Sequence, residues 1–300
     1  MAQNIELPNL LIVGAAKCGT TSLHHYLRQD PDIFMTEHKE PHFLINSEIG
    51  ETRIHRAVTC LNKYKKMFQT KEVCRYKGES SVMYLAFPEF SIKNIRKHLS
   101  SDVKIIIMLR NPVERAFAGY LHNLRYNPSE DLSFQEAIAK SEERYHQNKD
   151  MSPDTRYLHV GNYASQVELF VNEFKSNVHI IIYDDYVDNI DLCLLQIFDF
   201  LDIKQISIDT SEKHMVGGWV FRNKFLRNFL IPENQVKSFF KKLIPNQKIR
   251  SMLKKKVINI SSVNTPSLTK ETRNHLIDFY RFDVERLSKL LNRNFNHWLE

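Results

Sequence analysis

Between residues 14 and 22 the chain reads Gly14-Ala15-Ala16-Lys17-Cys18-Gly19-Thr20-Thr21-Ser22, one lysine and three hydroxyls set around glycines that allow a sharp turn. Residue types of this kind bind anions. The apolar run Leu10 to Val13 before them predicts a buried strand, and Leu23, Tyr26 and Leu27 after them repeat at helical spacing. A strand, a tight loop and a helix N-terminus aim unpaired N–H groups and the positive end of a helix dipole at one point, so a phosphate group is the natural ligand. Lys17 adds a full charge there, and Thr20, Thr21 and Ser22 add hydroxyl donors. A second anion site is implied by Arg110. It follows Val103 to Leu109, a β-branched, nearly all-apolar run that predicts a parallel strand covered on both faces, and ligands collect at the carboxyl ends of such strands.

The loop has the spacing G-x-x-x-x-G of a nucleotide-binding P-loop, but its lysine precedes the second glycine. In a P-loop NTPase the lysine after that glycine reaches the terminal phosphates, and a neighbouring strand ends in Asp to serve Mg²⁺. Here Thr20 stands at the lysine's place and Arg110 at the aspartate's.

The pattern G-x-x-K-x-G-T-T-S resembles instead the 5′-phosphosulfate loop of sulfotransferases, which use 3′-phosphoadenosine 5′-phosphosulfate (PAPS) as donor and release 3′-phosphoadenosine 5′-phosphate (PAP). With Arg110-Asn111-Pro112 and Tyr183-Asp184-Asp185 added, the resemblance extends over nearly the whole chain. It implies contacts to the donor from Lys17, Cys18, Gly19, Thr20, Thr21 and Ser22, from Arg110 on the 3′-phosphate, and from Tyr183. Tyr183 is equally readable as a half-buried aromatic at a strand end. Lys213 to Arg222 is similar to the family's late basic loop over the 3′-phosphate, with Gly217 and Arg222 the residues implied.

Lys39-Glu40-Pro41-His42-Phe43 is similar to the Glu-x-His-Phe-Phe segment of Golgi-type heparan sulfate sulfotransferases and their bacterial relatives. That implies Glu40 as catalytic base and His42 as its close neighbour in the acceptor site. Two positions depart from the family. Ala118 stands where a serine is usual, eight residues after the arginine, and Ser80 replaces the lysine of a Gly-Glu-Lys-Ser segment, with Lys39 the lysine available to compensate.

Composition sets the outer limits. The formal charge is +7 and the pI about 9.1, which favours anionic partners. The basic residues are widely spread, and the densest run, Lys237 to Lys256, interleaves with Phe239, Phe240, Leu243, Ile249 and Leu253 like an amphipathic helix pair, so nucleic acid is not the expected partner. Cys18, Cys60, Cys74 and Cys193 show no metal-like spacing and fit free thiols in a reducing cytoplasm. No metal site is expected. No stretch approaches the roughly 18 to 20 apolar residues of a membrane span, and no apolar leader opens the chain.

Strands at Leu10–Val13, Ile33–Met35, Val103–Leu109 and His179–Tyr183 alternate with helices at about 89–99, 113–126, 162–174, 194–201 and 269–293. This alternation predicts βαβ units, hence a single α/β domain over residues 1–300: a three-layer α/β/α fold around a parallel sheet, with the P-loop at its edge. The expected activity is metal-independent sulfuryl transfer from PAPS to a hydroxyl or amine of a small-molecule or saccharide acceptor. The alternatives are a P-loop kinase, disfavoured by Thr20 and Arg110, and a catalytically idle nucleotide- or polyanion-binding protein, suggested by Ala118 and Ser80.

Overall fold

The computed structural model describes residues 6–54, 56–211, 219–223, 225, 227–228 and 262–300. Five strands, β1 (Leu10–Gly14), β2 (Ile33–Met35), β3 (Tyr76–Ser80), β4 (Lys104–Leu109) and β5 (Val178–Ile182), form one sheet in the order β2-β3-β1-β4-β5, every pair parallel. Parallel neighbours need crossovers, and the helices that make them cover the sheet. They are α1 (Thr20–Leu27), α2 (Phe43–Ile49), α3 (Leu61–Lys66), α4 (Pro88–His98), α5 (Pro112–Tyr126), α6 (Phe134–Ala139), α7 (Ser141–Gln147), α8 (Tyr163–Phe174), α9 (Tyr183–Asp188), α10 (Ile190–Leu201) and α11 (Lys270–Leu291). A two-stranded antiparallel ribbon pairs β6 (Trp219–Phe221) with β7 (Ser262–Asn264). The expected three-layer α/β/α architecture is borne out.

β1 is buried along its whole length, and Ile105 to Leu109 of β4 are wholly buried, as central strands between two helical layers must be. β3 is different. Lys77 to Tyr84 reads in the sequence as a turn with a short buried stretch, yet residues 76–80 pair with β2 on one side and β1 on the other. The strand is polar because its side chains are satisfied internally. Glu79 is fully buried and accepts hydrogen bonds from Tyr64 Oη (3.0 Å), Tyr84 Oη (2.7 Å) and Ser81 Oγ (2.8 Å). Gly78 is needed for space, since a Cβ there would come 2.4 Å from Met35 Sδ.

α5 starts where the sequence signals it, with Pro112 in the first turn and Asn111 Oδ1 accepting from the Val113 and Glu114 amides at 3.0 and 3.4 Å. Helical spacing over 269–293 predicts a stripe of Leu276, Tyr280, Val284, Leu287 and Leu291; α11 buries the first four, and Leu291 at its end is partly buried. Its Asp283 accepts from the Tyr163 and Ala164 amides at 2.8 and 2.9 Å, tying α11 to the start of α8. Because all five strands run the same way, the ends of β1, β3, β4 and β5 lie along one edge of the sheet, and that edge carries the candidate residues. Among the described residues, no helix is long and apolar enough to cross a membrane. The Lys237 to Lys256 run, and Lys213 to Gly218 with Gly217, lie outside the described residues.

Candidate active site

The loop after β1 is pinned to the neighbouring strand by the Ala15 amide, which donates to Met108 O at 2.7 Å. Lys17 and Gly19 take left-handed backbone conformations, with φ of 70° and 89°. Gly19 is required on two counts: its φ suits glycine, and a Cβ would sit 3.2 Å from Tyr183 Cε2. The Leu23 amide donates to Gly19 O at 3.2 Å and starts the helix, whereas the amides of Gly19, Thr20, Thr21 and Ser22 have no acceptor among the described residues. Those four N–H groups stand at the start of α1, where the sequence leads one to expect an anion cradle.

Cys18 faces inward. Its amide donates to Ala15 O at 3.3 Å, and its wholly buried thiol lies 3.8 Å from Tyr163 Oη and from Ala16 O. Burial pushes the thiol pKa up, so Cys18 packs beneath the loop and offers no side-chain contact at its mouth. Lys17 points the other way, with Nζ 3.5 Å from Nδ1 of His122 on α5. Burial, reinforced by Arg125 and Arg110, lowers the Lys17 pKa to about 8, although Asp154 pulls in the opposite direction.

Arg110 lies just past the end of β4 with its guanidinium 4.8 Å from the centre of the Tyr183 ring, and Tyr183 opens α9 directly after β5. The same ring packs on Gly19, so three separated sequence stretches meet at one point. Asp184 and Asp185 are turned to structural work: Asp184 accepts from Trp298 Nε1 at 2.8 Å and Asp185 pairs with Arg293. Ala118 is half-buried one turn before His122 and offers no hydroxyl. Arg222 is exposed at the end of β6; Trp219 of that strand is the residue that reaches the loop's surroundings, its ring 5.7 Å from the Arg125 guanidinium.

Glu40 and His42 come together on the loop between β2 and α2, both with positive φ. The Glu40 amide donates to Ser80 O at 2.9 Å, and the His42 amide to Ser81 Oγ at 3.0 Å. The buried Glu79–Ser81 pair thus positions the histidine backbone. Glu40 Oε1 lies 2.9 Å from Lys39 Nζ, and Oε2 lies 3.0 Å from both His42 Nε2 and the Val82 amide. Burial pushes the Glu40 carboxyl up, but Lys39 and His42 outweigh it and hold the pKa well below the usual carboxylate range. The Glu40 side chain keeps a third of its surface exposed.

Ser80 has no lysine's reach. Its Oγ lies 2.8 Å from Nδ1 of the buried His24, whose Nε2 meets Thr36 O at 3.1 Å. Burial holds the His24 pKa down to about 3, so Nε2 donates to the carbonyl and Nδ1 accepts from the serine. The site also contains groups absent from the sequence reading: His122, the buried Arg125, and Asp154 in the 3₁₀ turn Pro153–Thr155. Asp154 carries a buried Oδ1 without a hydrogen-bond partner among the described residues and lies within electrostatic reach of both Lys17 and His42. His122 and Arg125 follow Ala118 at i+4 and i+7, a helical spacing visible in the sequence; nothing in the sequence singles out Asp154.

The family described as Sulfotransferase domain matches residues 7–270 of the chain. Carbohydrate sulfotransferase 15 of Homo sapiens is 23% identical, over 76% of this chain and 52% of that protein. Heparan sulfate glucosamine 3-O-sulfotransferase 3B1 of Mus musculus is 24% identical, over 68% of this chain and 48% of that protein. The chain spans about half the length of these curated relatives. Among solved structures, a sulfotransferase from Alicyclobacillus acidocaldarius superposes with a TM-score of 0.74 at 29% identity, covering 98% of this chain and 99% of that one.

Proposed function

The chain belongs to the sulfotransferase domain family, and on that premise we propose that it transfers a sulfuryl group from PAPS to a hydroxyl or amine of a carbohydrate or small-molecule acceptor, releasing PAP. The observation that carries this reading is the convergence of three cationic or donor elements on one edge of the sheet: the unpaired amides of Gly19 to Ser22, Lys17, and Arg110 stacked on Tyr183. Two anionic groups are served, as a nucleotide with separate 5′ and 3′ substituents requires.

In this reading Lys17 and the amides at the start of α1 meet the 5′-phosphosulfate. Negative charge grows on the departing phosphate as the S–O bond breaks, so donors fixed at that point favour the transition state over the ground state. Arg110 takes the 3′-phosphate as a planar fork, and Tyr183 supports it from the other side. Glu40 accepts the acceptor's proton, with His42 donating from Nε2 to hold the carboxylate and Lys39 keeping it ionised. A carboxylate so stabilised is a weak base. It suffices where the acceptor O–H becomes acidic only as its bond to sulfur forms.

Carbohydrate acceptors are supported by the names of the relatives, and a reducing, cytoplasmic setting by four cysteines that are all unpaired. The reading takes residues 1–300 as one domain, supported by the contact of α11 with α8. Equilibrium binding in excess EDTA tests it: PAP binds and ATP competes poorly, whereas ATP binding that requires Mg²⁺ would return the chain to the kinase class.

A further inference from the structure

Lys17 is the group on which the proposed chemistry turns, and its side chain is held. Nζ lies 3.5 Å from Nδ1 of His122, and no other hydrogen-bond acceptor meets it among the described residues. An ammonium only donates, so this contact is a hydrogen bond when Nδ1 carries no proton. The imidazole is kept uncharged: burial, then the Lys17 and Arg125 cations, lowers the His122 pKa to about 3, with Glu40 acting weakly the other way. Nδ1 therefore accepts and Nε2 carries the hydrogen.

The placement of His122 follows from α5. Ala118, His122 and Arg125 stand at i, i+4 and i+7, and the contact with Lys17 shows that this stripe faces the loop. The ring is braced from its own helix by Tyr126, 4.9 Å away. Lys17 has a left-handed backbone, so its side chain leaves the loop in a direction set by the turn and needs a partner across the gap to stay there. Ala118 has no polar atom with which to provide one.

We propose that His122 is the positioning residue for Lys17, aiming its ammonium through Nδ1 at the departing 5′-phosphate of the donor from one helical turn beyond the alanine. This rests on the reading of the loop as the PAPS site. The groups that face the pair are Arg125 from α5, Arg110 from the end of β4, Asp154 from the 3₁₀ turn, Cys18 from the loop itself and Glu40 from the segment before α2. Among them, His122 alone is in hydrogen-bonding contact with Nζ.

The test uses two variants of the full chain. His122→Leu fills the space without an acceptor, and His122→Asn puts an amide oxygen near the place of Nδ1. The first readout is the titration of Lys17 in the ligand-free protein by NMR of lysines labelled at Cε, assigned with Lys17→Met. It needs no activity. In His122→Leu the charged form loses its acceptor while the site stays dry, so the titration falls by about one unit or more, and His122→Asn recovers most of that. The second readout is PAP release from PAPS in water without acceptor. His122→Leu slows it by about 10- to 100-fold while PAP affinity stays within about threefold, and His122→Asn restores it. A leucine variant with wild-type titration and rate, or an asparagine variant as impaired as leucine at an unchanged melting temperature, overturns the proposal. Failure of the wild-type protein to release any PAP would instead overturn the donor reading, and the Lys17 titration would still decide the contact.

Discussion

If Lys17 holds the donor's phosphate, PAP binding must take up a proton at alkaline pH. The Lys17 pKa is lowered to about 8 from an ordinary 10.5, first by burial and then by Arg125 and Arg110. A bound anion reverses that, because the charged form now has a partner, so the complex keeps the ammonium well above pH 8. Below pH 8 the lysine is already charged and little is taken up, and above pH 8 the neutral amine must gain a proton for the ligand to bind. The uptake is about 0.1 proton at pH 7, about 0.5 at pH 8 and about 0.9 at pH 9, and affinity falls by up to about tenfold per unit beyond that point. PAP's own phosphates are ionised above pH 7, since their second pKa is about 6, so they do not imitate the effect. Calorimetry in buffer pairs of different ionisation enthalpy measures the uptake, and Lys17→Met removes its rise. An uptake that stays flat from pH 7 to 9, or that persists in Lys17→Met, would falsify the assignment of Lys17 to the phosphate.

The other predictions concern single groups. Arg110→Ala weakens PAP by about tenfold or more beyond its effect on adenosine 5′-phosphate, because only PAP presents a 3′-phosphate to the guanidinium; equal losses for both nucleotides would make Arg110 structural. Glu40→Gln keeps the shape but cannot take a proton, so turnover drops by about 10² to 10⁴ with PAP affinity nearly unchanged; near-normal turnover would move the base elsewhere. Gly19→Ala costs about 1–2 kcal/mol in backbone strain alone and crowds Tyr183, lowering both the melting temperature and PAP affinity; a variant that melts and binds like the parent would show that the loop relaxes freely. Glu79→Ala strands three buried hydroxyls and destabilises the fold by about 2–4 kcal/mol, seen as a lower urea midpoint; an unchanged midpoint would mean that water replaces the carboxylate.

The parts of the fold that were legible are those where burial and pattern agree. β1, β4 and the stripe of α11 are apolar because both faces or one face must be, and periodicity alone exposes them. β3 was hidden by its chemistry: a strand spelling Lys77-Gly78-Glu79-Ser80 is buried only because Tyr64, Tyr84, Ser81 and His24, distant or out of phase in sequence, supply its hydrogen bonds. The same distinction holds at the site. The loop, Arg110 and Tyr183 sit directly after strands, so parallel topology collects them on one edge. Glu40 and His42 stand out only by resemblance, and their mutual contact depends on left-handed backbone at both residues, which no pattern announces. Cys18 shares the loop with Lys17 but faces the core, a difference of side-chain direction within one turn. Asp154 depends on how α5 and the 3₁₀ turn pack.

As proposed, this site transfers a sulfuryl and not a phosphoryl group, and does so without a metal. Its most direct measurement is a paired incubation of the full chain with a panel of saccharide and small-molecule acceptors, once with sulfur-labelled PAPS in excess EDTA and once with ATP and Mg²⁺, following label transfer and nucleotide product together. PAP and a labelled acceptor are expected in the first reaction, with no acceptor-dependent ADP in the second. ADP formation that requires Mg²⁺, with PAPS left intact, would contradict it.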